Sequence, residues 1–403
     1  CIRCSPHTSR LLNVNRASIY LDHAATSPLR PEALAAWEAC VGEADYNPAS
    51  AHGFGRAAHE ALEAAREQLA RLVGAPRQNL VWTGGGTLAD NLAILGFARA
   101  HVGARPLLVV SAVEHKAVLA AARHAEAEGA ELVVLPVDMT GSVESAVLEA
   151  VLTGTAAGRP SLVSVMWANN EVGAVQPIAE LCQIAHAHDS LFHTDAVQAF
   201  GKLPVSLTDV PADLLTLTAH KIGGPVGIGS LIVRAGVPLE PLAYGGSQER
   251  GLWPGTQNPL GAAAFTAAAE AAVNELPASA ARWTSLRDTL EADLRNGIEG
   301  LVVHASDASE RLPQLLSVGI PGADAATLLM SLDLAGISVS SGSACSSGSQ
   351  TGSHVLAAMG IAPADAYAVL RFSFGPFTSE AEVIRAGQET VQAAMQARAV
   401  GGG

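Results

Sequence analysis

The feature that most constrains the fold is the alternation, from Ile19 onward, of short β-branched runs with longer amphipathic stretches. Strands that alternate with helices predict an α/β fold with a mostly parallel sheet, because consecutive parallel strands need a helix-length crossover between them. Seven runs are predicted to be strands, at 80–83, 107–111, 132–136, 162–166, 191–194, 214–218 and 230–233. Helices are predicted between them at 57–73, 87–101, 116–128 and 178–188.

The regular alternation of predicted strands and helices ends near Pro277. A long amphipathic helix is predicted over 278–298, followed by sparser strands and a serine- and glycine-rich run over 338–352. We therefore expect a large domain over 31–277 and a smaller α+β domain formed by 18–30 plus 278–403. Residues 1–17 are expected to be a disordered tail or a cloning remnant, because they are polar and lack the apolar core of a secretory signal.

Composition excludes several classes of function. With 403 residues, 49% of them hydrophobic, the chain can bury a large core, but no apolar run is long enough to be read as a membrane helix. The formal net charge of −14 argues against binding nucleic acid. Five scattered cysteines do not make a disulfide framework, which favours a cytoplasmic setting. Cys1 and Cys4 lack a second pair of ligands, so no metal site is predicted.

Residues 83–87, Thr-Gly-Gly-Gly-Thr, follow one predicted strand and open a predicted helix. Glycines permit close backbone approach, and the N–H groups of a helix start, with the Thr87 hydroxyl, can hold a phosphate. An ordinary strand-to-helix turn is the alternative reading, since the spacing matches neither the P-loop nor the dinucleotide fingerprint.

Lys221 sits in a glycine-flanked turn just after the predicted strand 214–218. A desolvated lysine near other cations loses its proton readily and can form a Schiff base with a carbonyl cofactor. The alternative is a surface lysine whose stem lies along apolar neighbours.

Polar side chains also follow three other predicted strands. Asp195 ends one of them and could face a cationic ring nitrogen, or could simply be a helix N-cap. His115 follows a second and could stack on a planar ring, or could be a surface histidine at a helix start. Asn170 follows a third. Because open α/β sheets bind ligands at the carboxyl ends of their strands, one shared ligand is more plausible than independent coincidences.

Two residues in the carboxyl-terminal part carry reactive or charged groups. Cys345 lies in a serine- and glycine-rich run with no bulky apolar neighbour, so its thiol is expected to be exposed and reactive, unlike Cys40 and Cys182 inside helices. Arg371 is flanked by apolar residues on a predicted strand. It is expected to fork onto a carboxylate of a neighbouring side chain or of a substrate.

Taken together, these residues resemble the cysteine desulfurases, which are fold-type I pyridoxal 5′-phosphate (PLP) enzymes grouped with the class V aminotransferases. The resemblance runs from about Tyr20 to Pro376, nearly the whole chain. It rests on the motifs YLDHAAT (20–26), NPAS (47–50), EHKAV (114–118), NNEVG (169–173), DAVQ (195–198), HK (220–221), GT (255–256), SSGSAC (340–345) and RFS (371–373).

The resemblance implies a PLP cofactor and assigns most of its contacts. Lys221 would be the Schiff-base lysine, Asp195 would pair with the pyridinium nitrogen, and His115 would stack on the ring. Gln198 would hydrogen-bond the phenolic oxygen. The phosphate would be held by Gly86, Thr87, Thr218 and His220, joined by Thr256 from the other subunit of a homodimer.

The resemblance also implies the reaction, in which Lys221, Cys345 and His115 would be the catalytic residues. Arg371 and Asn170 would grip the carboxylate of L-cysteine, and the freed Lys221 amine would remove the α-proton. The Cys345 thiolate would attack the substrate sulfur, leaving L-alanine and a persulfide. The long loop around Cys345 is similar to that of the housekeeping subgroup, so the expected partner is a sulfur acceptor or an iron–sulfur scaffold protein, serving cluster assembly or tRNA thiolation.

The chain departs from the family pattern in places. Leu88 and Ala89 stand where Glu and Ser are usual, Trp253 and Pro254 replace a typical Arg-Ser or Arg-Pro, and 247–248 reads Ser-Gln. A selenocysteine lyase and a PLP transaminase are the rival enzymes, and a transaminase would not need Cys345. A catalytically weak sulfur-relay subunit is the alternative from a different class.

Overall fold

A computed structural model of the chain describes residues 18–341, 352–361 and 367–401. Cys1, Cys4 and Cys345 lie outside the described residues, so the predictions made for them stay predictions. Within the described ranges the chain forms ten α-helices and twelve β-strands. The strands are β1 (Ile19–Tyr20), β2 (Leu80–Thr83), β3 (Leu107–Ser111), β4 (Glu131–Leu135), β5 (Ser161–Ser164), β6 (Leu191–Asp195), β7 (Leu214–Thr218), β8 (Gly229–Val233), β9 (Val302–Val303), β10 (Leu315–Pro321), β11 (Ile337–Ser338) and β12 (Tyr367–Ser373). The helices are α1 (Pro31–Cys40), α2 (Gly53–Leu72), α3 (Gly86–Ala100), α4 (Lys116–Ala127), α5 (Ser145–Thr155), α6 (Ile178–Ala187), α7 (Pro259–Gly297), α8 (Ala325–Leu334), α9 (His354–Ala358) and α10 (Glu380–Gly401).

Seven strands form one sheet in the order β2-β8-β7-β6-β5-β3-β4. Strand β8 is antiparallel to both of its neighbours, and the remaining pairs are parallel. This confirms the predicted α/β class with a mostly parallel seven-stranded sheet. Each predicted strand lies within two residues of an observed one.

The sheet is buried on both faces, which is why its strands read as continuous apolar runs. Leu107 and Val109 belong to one hydrophobic core, and Leu108 and Val110 belong to a second core on the opposite face. Alternate residues of a strand point to opposite faces, so a single apolar run supplies both cores. Polar groups of these elements can therefore reach solvent or a ligand only beyond the strand ends.

The predicted helix 57–73 begins four residues too late. Helix α2 starts at Gly53 because the His52 side chain accepts a hydrogen bond from the Gly55 backbone N–H at 3.2 Å and so caps the helix. A histidine is an uncommon cap, and its role is visible only in the folded chain.

The predicted helix start at 278 is wrong. Helix α7 runs without a break from Pro259 to Gly297 and contains Pro277 in its interior. A proline there removes one intrahelical hydrogen bond, but burial of both halves of the helix compensates for that loss. Ala268 and Ala269 pack in the first core of the large sheet, whereas Leu290 packs in a separate core.

That separate core lies under two small sheets. Strands β12, β10 and β9 form an antiparallel sheet in that order, and β1 pairs with β11 in parallel. Ile19 from the start of the described chain and Trp283 from α7 both belong to this core. The division into 31–277 and 18–30 plus 278–403 stays a proposal, with Pro277 between the two halves of α7.

In the described part of the chain, no helix combines the length and apolarity that a membrane span requires.

A buried ion pair holds a strained turn against the sheet. Arg66 on α2 makes two hydrogen bonds of 2.7 Å to the carboxylate of Glu249, whose side chain is only 1% exposed. The same carboxylate accepts the Trp82 backbone N–H at 2.8 Å. Glu249 and Arg250 both have positive φ, at 49° and 59°, so the ion pair stabilises a conformation that the backbone alone disfavours.

We expect Glu249→Ala to lower the free energy of unfolding by about 3–5 kcal/mol, because it leaves the Arg66 charge buried without its partner. The matched control is Glu128→Ala, which breaks the exposed 3.0 Å pair with Arg99 and should cost about 0–1 kcal/mol. Urea denaturation followed by circular dichroism measures both. Equal destabilisation by the two variants would contradict this account.

Candidate active site

The carboxyl ends of β2, β3, β5, β6 and β7 meet at one edge of the large sheet, where they surround a cavity of about 510 Å³. The predicted residues that line it are Gly86, Thr87, His115, Asn170, Asp195, Gln198, Thr218, His220, Lys221 and Arg371. Thr256 is not among the lining residues and is exposed in the described chain. Cys345 lies outside the described residues.

Lys221 lies in the cavity wall rather than on the outer surface, so the surface-lysine alternative is wrong. Its Nζ donates hydrogen bonds to the backbone carbonyls of Ala24 and Ala25, each at 2.7 Å. Those carbonyls belong to the segment that follows β1, so the amine lies where the amino-terminal segment meets the large sheet.

Asp195 combines the two alternatives left open by the sequence. Its Oδ1 accepts the Val197 backbone N–H at 2.9 Å, as a turn-capping aspartate does, and its carboxylate also lines the cavity. Burial raises the pKa of Asp195 to about 6, although the charges of Lys221 and Lys202 act to lower it. A cationic group beside this carboxylate would relieve the cost of its burial.

The glycine-rich turn forms one end of the cavity. Gly85, with φ of 141°, occupies a backbone region that is almost restricted to glycine, and it places the start of α3 at Gly86. No side chain caps this helix start. The free N–H groups of the first turn and the positive end of the helix dipole therefore remain available to an anion.

Two of the histidines that line the cavity, His115 and His220, favour the neutral form at physiological pH. Burial, followed by the charge of Lys221, lowers the pKa of His115 and of His220 to about 4 in each case. His115 Nδ1 accepts the Ala117 backbone N–H at 3.1 Å, so its proton is on Nε2. The His220 Nδ1 lies 3.0 Å from the Thr26 hydroxyl.

Arg371, on β12, is only 2% exposed. Its Nη2 donates to Asp22 Oδ1 at 2.7 Å and its Nη1 donates to the Asn170 backbone carbonyl at 2.8 Å. Arg371 thus contacts a neighbouring carboxylate, that of Asp22, through a single hydrogen bond rather than a two-bond fork, and its contact with a substrate carboxylate stays a prediction. Arg371 Nε is buried and has no hydrogen-bond partner among the described residues, which leaves a donor for a further acceptor.

Sequence reasoning missed two buried carboxylic acids at this site. Asp90 lines the cavity, and Glu114 lies behind it with Oε1 accepting the Met166 backbone N–H at 2.6 Å. Burial raises the pKa of both groups well above the usual range, and the nearby Asp195 adds to the effect. Glu114 belongs to a quoted motif, but the pattern gives no sign that its side chain points into the protein.

The chain enters and leaves the segment 342–351 beside the cavity. On one side, the Ser340 backbone makes two hydrogen bonds with the Arg371 backbone, at 2.7 and 3.2 Å. On the other, Ser353 Oγ donates to Glu171 Oε2 at 2.5 Å, and His354 lines the cavity with Nε2 3.0 Å from the Glu114 carbonyl. The described residues on either side of 342–351 are thus attached to the cavity wall.

Known proteins are similar to this chain over most of its length. The chain is 39% identical over 368 residues to a cysteine desulfurase IscS of Dictyoglomus turgidum, covering 91% of this chain and 92% of the relative. It is 43% identical over 372 residues to a cysteine desulfurase of Cereibacter sphaeroides, covering 91% and 93%.

Solved structures agree with the fold. A NifS-like protein superposes with a TM-score of 0.87 at 33% identity, covering 94% of this chain and 100% of that one. The structure of SspA in complex with cysteine superposes with a TM-score of 0.77 at 31% identity, covering 90% and 100%. The family model of aminotransferase class-V matches residues 19–386. The chain therefore belongs to the class V aminotransferase family.

Proposed function

We propose that this chain is a PLP-dependent cysteine desulfurase, which converts L-cysteine to L-alanine while Cys345 becomes a persulfide. The observation that carries the proposal is the convergence on one cavity of the Lys221 amine, the buried Asp195 carboxylate and the uncapped start of α3. The similar proteins named above support the choice of reaction, since two are called cysteine desulfurases and a third was solved with cysteine.

The cavity residues fit PLP group by group. The free N–H groups at the start of α3, with Thr87, Thr218 and His220, would hold the phosphate. Asp195 would face the ring nitrogen and His115 would stack on the ring. A volume of about 510 Å³ is within the range of cavities that hold small cofactors.

The cofactor, when bound, supplies a carbonyl that condenses with amines and a ring that accepts the electron pair left at the substrate α-carbon. Asp195 would keep the ring nitrogen protonated, and a cationic nitrogen there would favour the charged form of this carboxylate. His115 and His220 favour the neutral form, so they would offer hydrogen-bond donors to the cofactor without adding charge.

Arg371 orients the substrate. Asp22 and the Asn170 carbonyl hold the guanidinium group at Nη2 and Nη1, which fixes its plane, and the buried Nε remains to bind the substrate carboxylate together with Asn170. The amine of Lys221 would be the base that removes the α-proton of the substrate. The carbonyls of Ala24 and Ala25 keep that amine within the cavity.

We infer that Cys345 reaches this cavity, and the length of chain between it and Ser340 allows this. Five residues separate it from Ser340, whose backbone is bonded to that of Arg371, and five extended residues span at most about 18 Å. The Cys345 thiolate attacks the substrate sulfur, so the substrate Cβ–Sγ bond breaks and an S–S bond forms. Cβ takes up a proton and leaves as the methyl group of alanine, while the Cys345 sulfur is oxidised to the persulfide.

We further propose a homodimer, in which Thr256 of each subunit contributes to the phosphate site of the other. This agrees with the exposure of Thr256 and with its position outside the cavity of its own chain. The persulfide would pass to an acceptor thiol on a separate protein, such as an iron–sulfur scaffold.

Borohydride reduction of the PLP-loaded protein should fix the cofactor on Lys221, and peptide mass mapping should locate it. The chain has three lysines, Lys116, Lys202 and Lys221, so the mapping is unambiguous. Lys221→Ala should lose the label and about a thousand-fold in kcat, because both the linkage and the proton acceptor are removed. A label on Lys116 or Lys202 would overturn the assignment.

Cys345→Ala should abolish persulfide formation and alanine release, while leaving the visible absorption of bound PLP unchanged. Cys40→Ser is the matched control, since Cys40 is a half-buried thiol on α1, and it should retain full activity. Persulfide is measured by alkylation and mass spectrometry. Alanine release that survives in Cys345→Ala would favour a lyase instead.

Asp195→Asn should stabilise the cofactor-free chain at pH 8 but not at pH 4. The folded pKa of Asp195, about 6, lies above its unfolded value, so ionising the group costs stability as pH rises through that window. Above it, the gain from Asn should be about 1–3 kcal/mol, seen as a higher Tm. The same variant should bind PLP more weakly. A Tm difference that does not change with pH would contradict the buried carboxylate.

A further inference from the structure

Lys202 is a buried lysine that the proposed reaction does not use. It is 5% exposed, and it lies four residues after Gln198 in the turn that follows β6. Unlike Lys116 and Lys221, it does not line the cavity. Lysines are seldom buried to this extent unless they are paired, yet no carboxylate within the described ranges lies at salt-bridge distance from its Nζ.

The hydrogen bond that Lys202 makes is to Gln198. Its Nζ donates to Gln198 Oε1 at 3.2 Å, and Gln198 Nε2 donates to the Ala24 carbonyl at 2.9 Å. Gln198 is itself only 3% exposed and lines the cavity. A single side chain thus connects the buried lysine to the cavity.

These two contacts fix which end of the Gln198 amide faces which neighbour. An amine of lysine in its ammonium form only donates, and a backbone carbonyl only accepts. Turning the amide over would bring Nε2 against Lys202 Nζ and Oε1 against the Ala24 oxygen, so both contacts would become repulsive. One N–H of Nε2 is used by Ala24, and the second remains for an acceptor in the cavity.

We propose that Lys202 is a positioning residue for the cofactor: it holds the amide of Gln198 so that Nε2 faces the phenolic oxygen of PLP. This rests on the proposed function to the extent that PLP occupies the cavity. Lys202 acts through Gln198 and touches neither the cofactor nor the substrate.

The charges around Lys202 agree with this role. Burial, and then the charges of Lys221 and Arg371, lower the pKa of Lys202 to about 7, while Asp195 raises it. Burial lowers the pKa of His23 and of His220 to about 4, which keeps both neutral, and the charge of Lys202 acts in the same direction. The amine retains N–H donors in either protonation state, and the Ala24 carbonyl, which only accepts, favours the same orientation of Gln198 when Lys202 is neutral.

The test is a pH titration of the visible absorption of the PLP-loaded protein, which reports the pKa of the cofactor–Lys221 linkage. A donor to the phenolic oxygen and a nearby positive charge both disfavour the protonated linkage. We expect Lys202→Met to raise the pKa of the linkage by about one unit, as both effects are lost. The Tm of the cofactor-free variant should not fall, because methionine fills a similar volume without a buried charge.

Gln198→Leu provides the matched background. In Gln198→Leu the further change Lys202→Met should shift the linkage pKa by less than it does in the wild-type background, since only the direct effect of the Lys202 charge remains to be lost. Shifts of equal size in the two backgrounds would overturn the proposal, because Lys202 would then act by another route. So would an unchanged linkage pKa in the Lys202→Met single variant.

The outcome also separates this inference from the proposed function. A wild-type protein that takes up no PLP would overturn both. The wild-type protein could show a pH-dependent visible absorption of bound PLP while Lys202→Met leaves the linkage pKa unchanged. That result would overturn the inference about Lys202 alone and leave the proposed function standing.

Discussion

Burial of the large sheet on both faces is the constraint on which the rest of the structure depends. Hydrophobic cores above and below the strands leave their carboxyl ends as the place where polar groups can be held without a heavy desolvation cost. Five strands end at the same edge, and the loops that follow them supply the polar lining of one cavity. The reacting groups are therefore fixed by rigid strands rather than by the loops alone.

The buried ionisable side chains in and around the cavity limit their charge together, through shifts in pKa, rather than through separate ion pairs. Asp90, Glu114 and Asp195 are buried carboxylic acids whose pKa is raised, while Lys202 is a buried amine whose pKa is lowered. Each shift reduces the number of charges held out of water. A cofactor with a cationic ring would favour the ionised form of Asp195, and its anionic phosphate would accept hydrogen bonds from the free N–H groups at the start of α3.

The segment that follows β1 connects the two cores. Asp22 forms an ion pair with Arg371. The backbone carbonyls of Ala24 and Ala25 accept hydrogen bonds from the Lys221 amine, and the Ala24 carbonyl also accepts one from Gln198 Nε2. Residues that the sequence assigns to the smaller domain thus position side chains of the large one. A short stretch with a weak secondary-structure signal thus contacts three of the side chains that line the cavity.

The sequence by itself determined the strands, the α/β class and most residues of the cavity, because a sheet buried on both faces leaves long apolar runs and places polar residues directly after them. It could not show that α7 continues through Pro277, since packing of both halves outweighs a broken backbone hydrogen bond. It gave no sign that Glu114 points inward or that Lys202 orients Gln198. Those contacts join elements distant in sequence or depend on side-chain direction, and only the tertiary structure, which sets burial and orientation together, decided them.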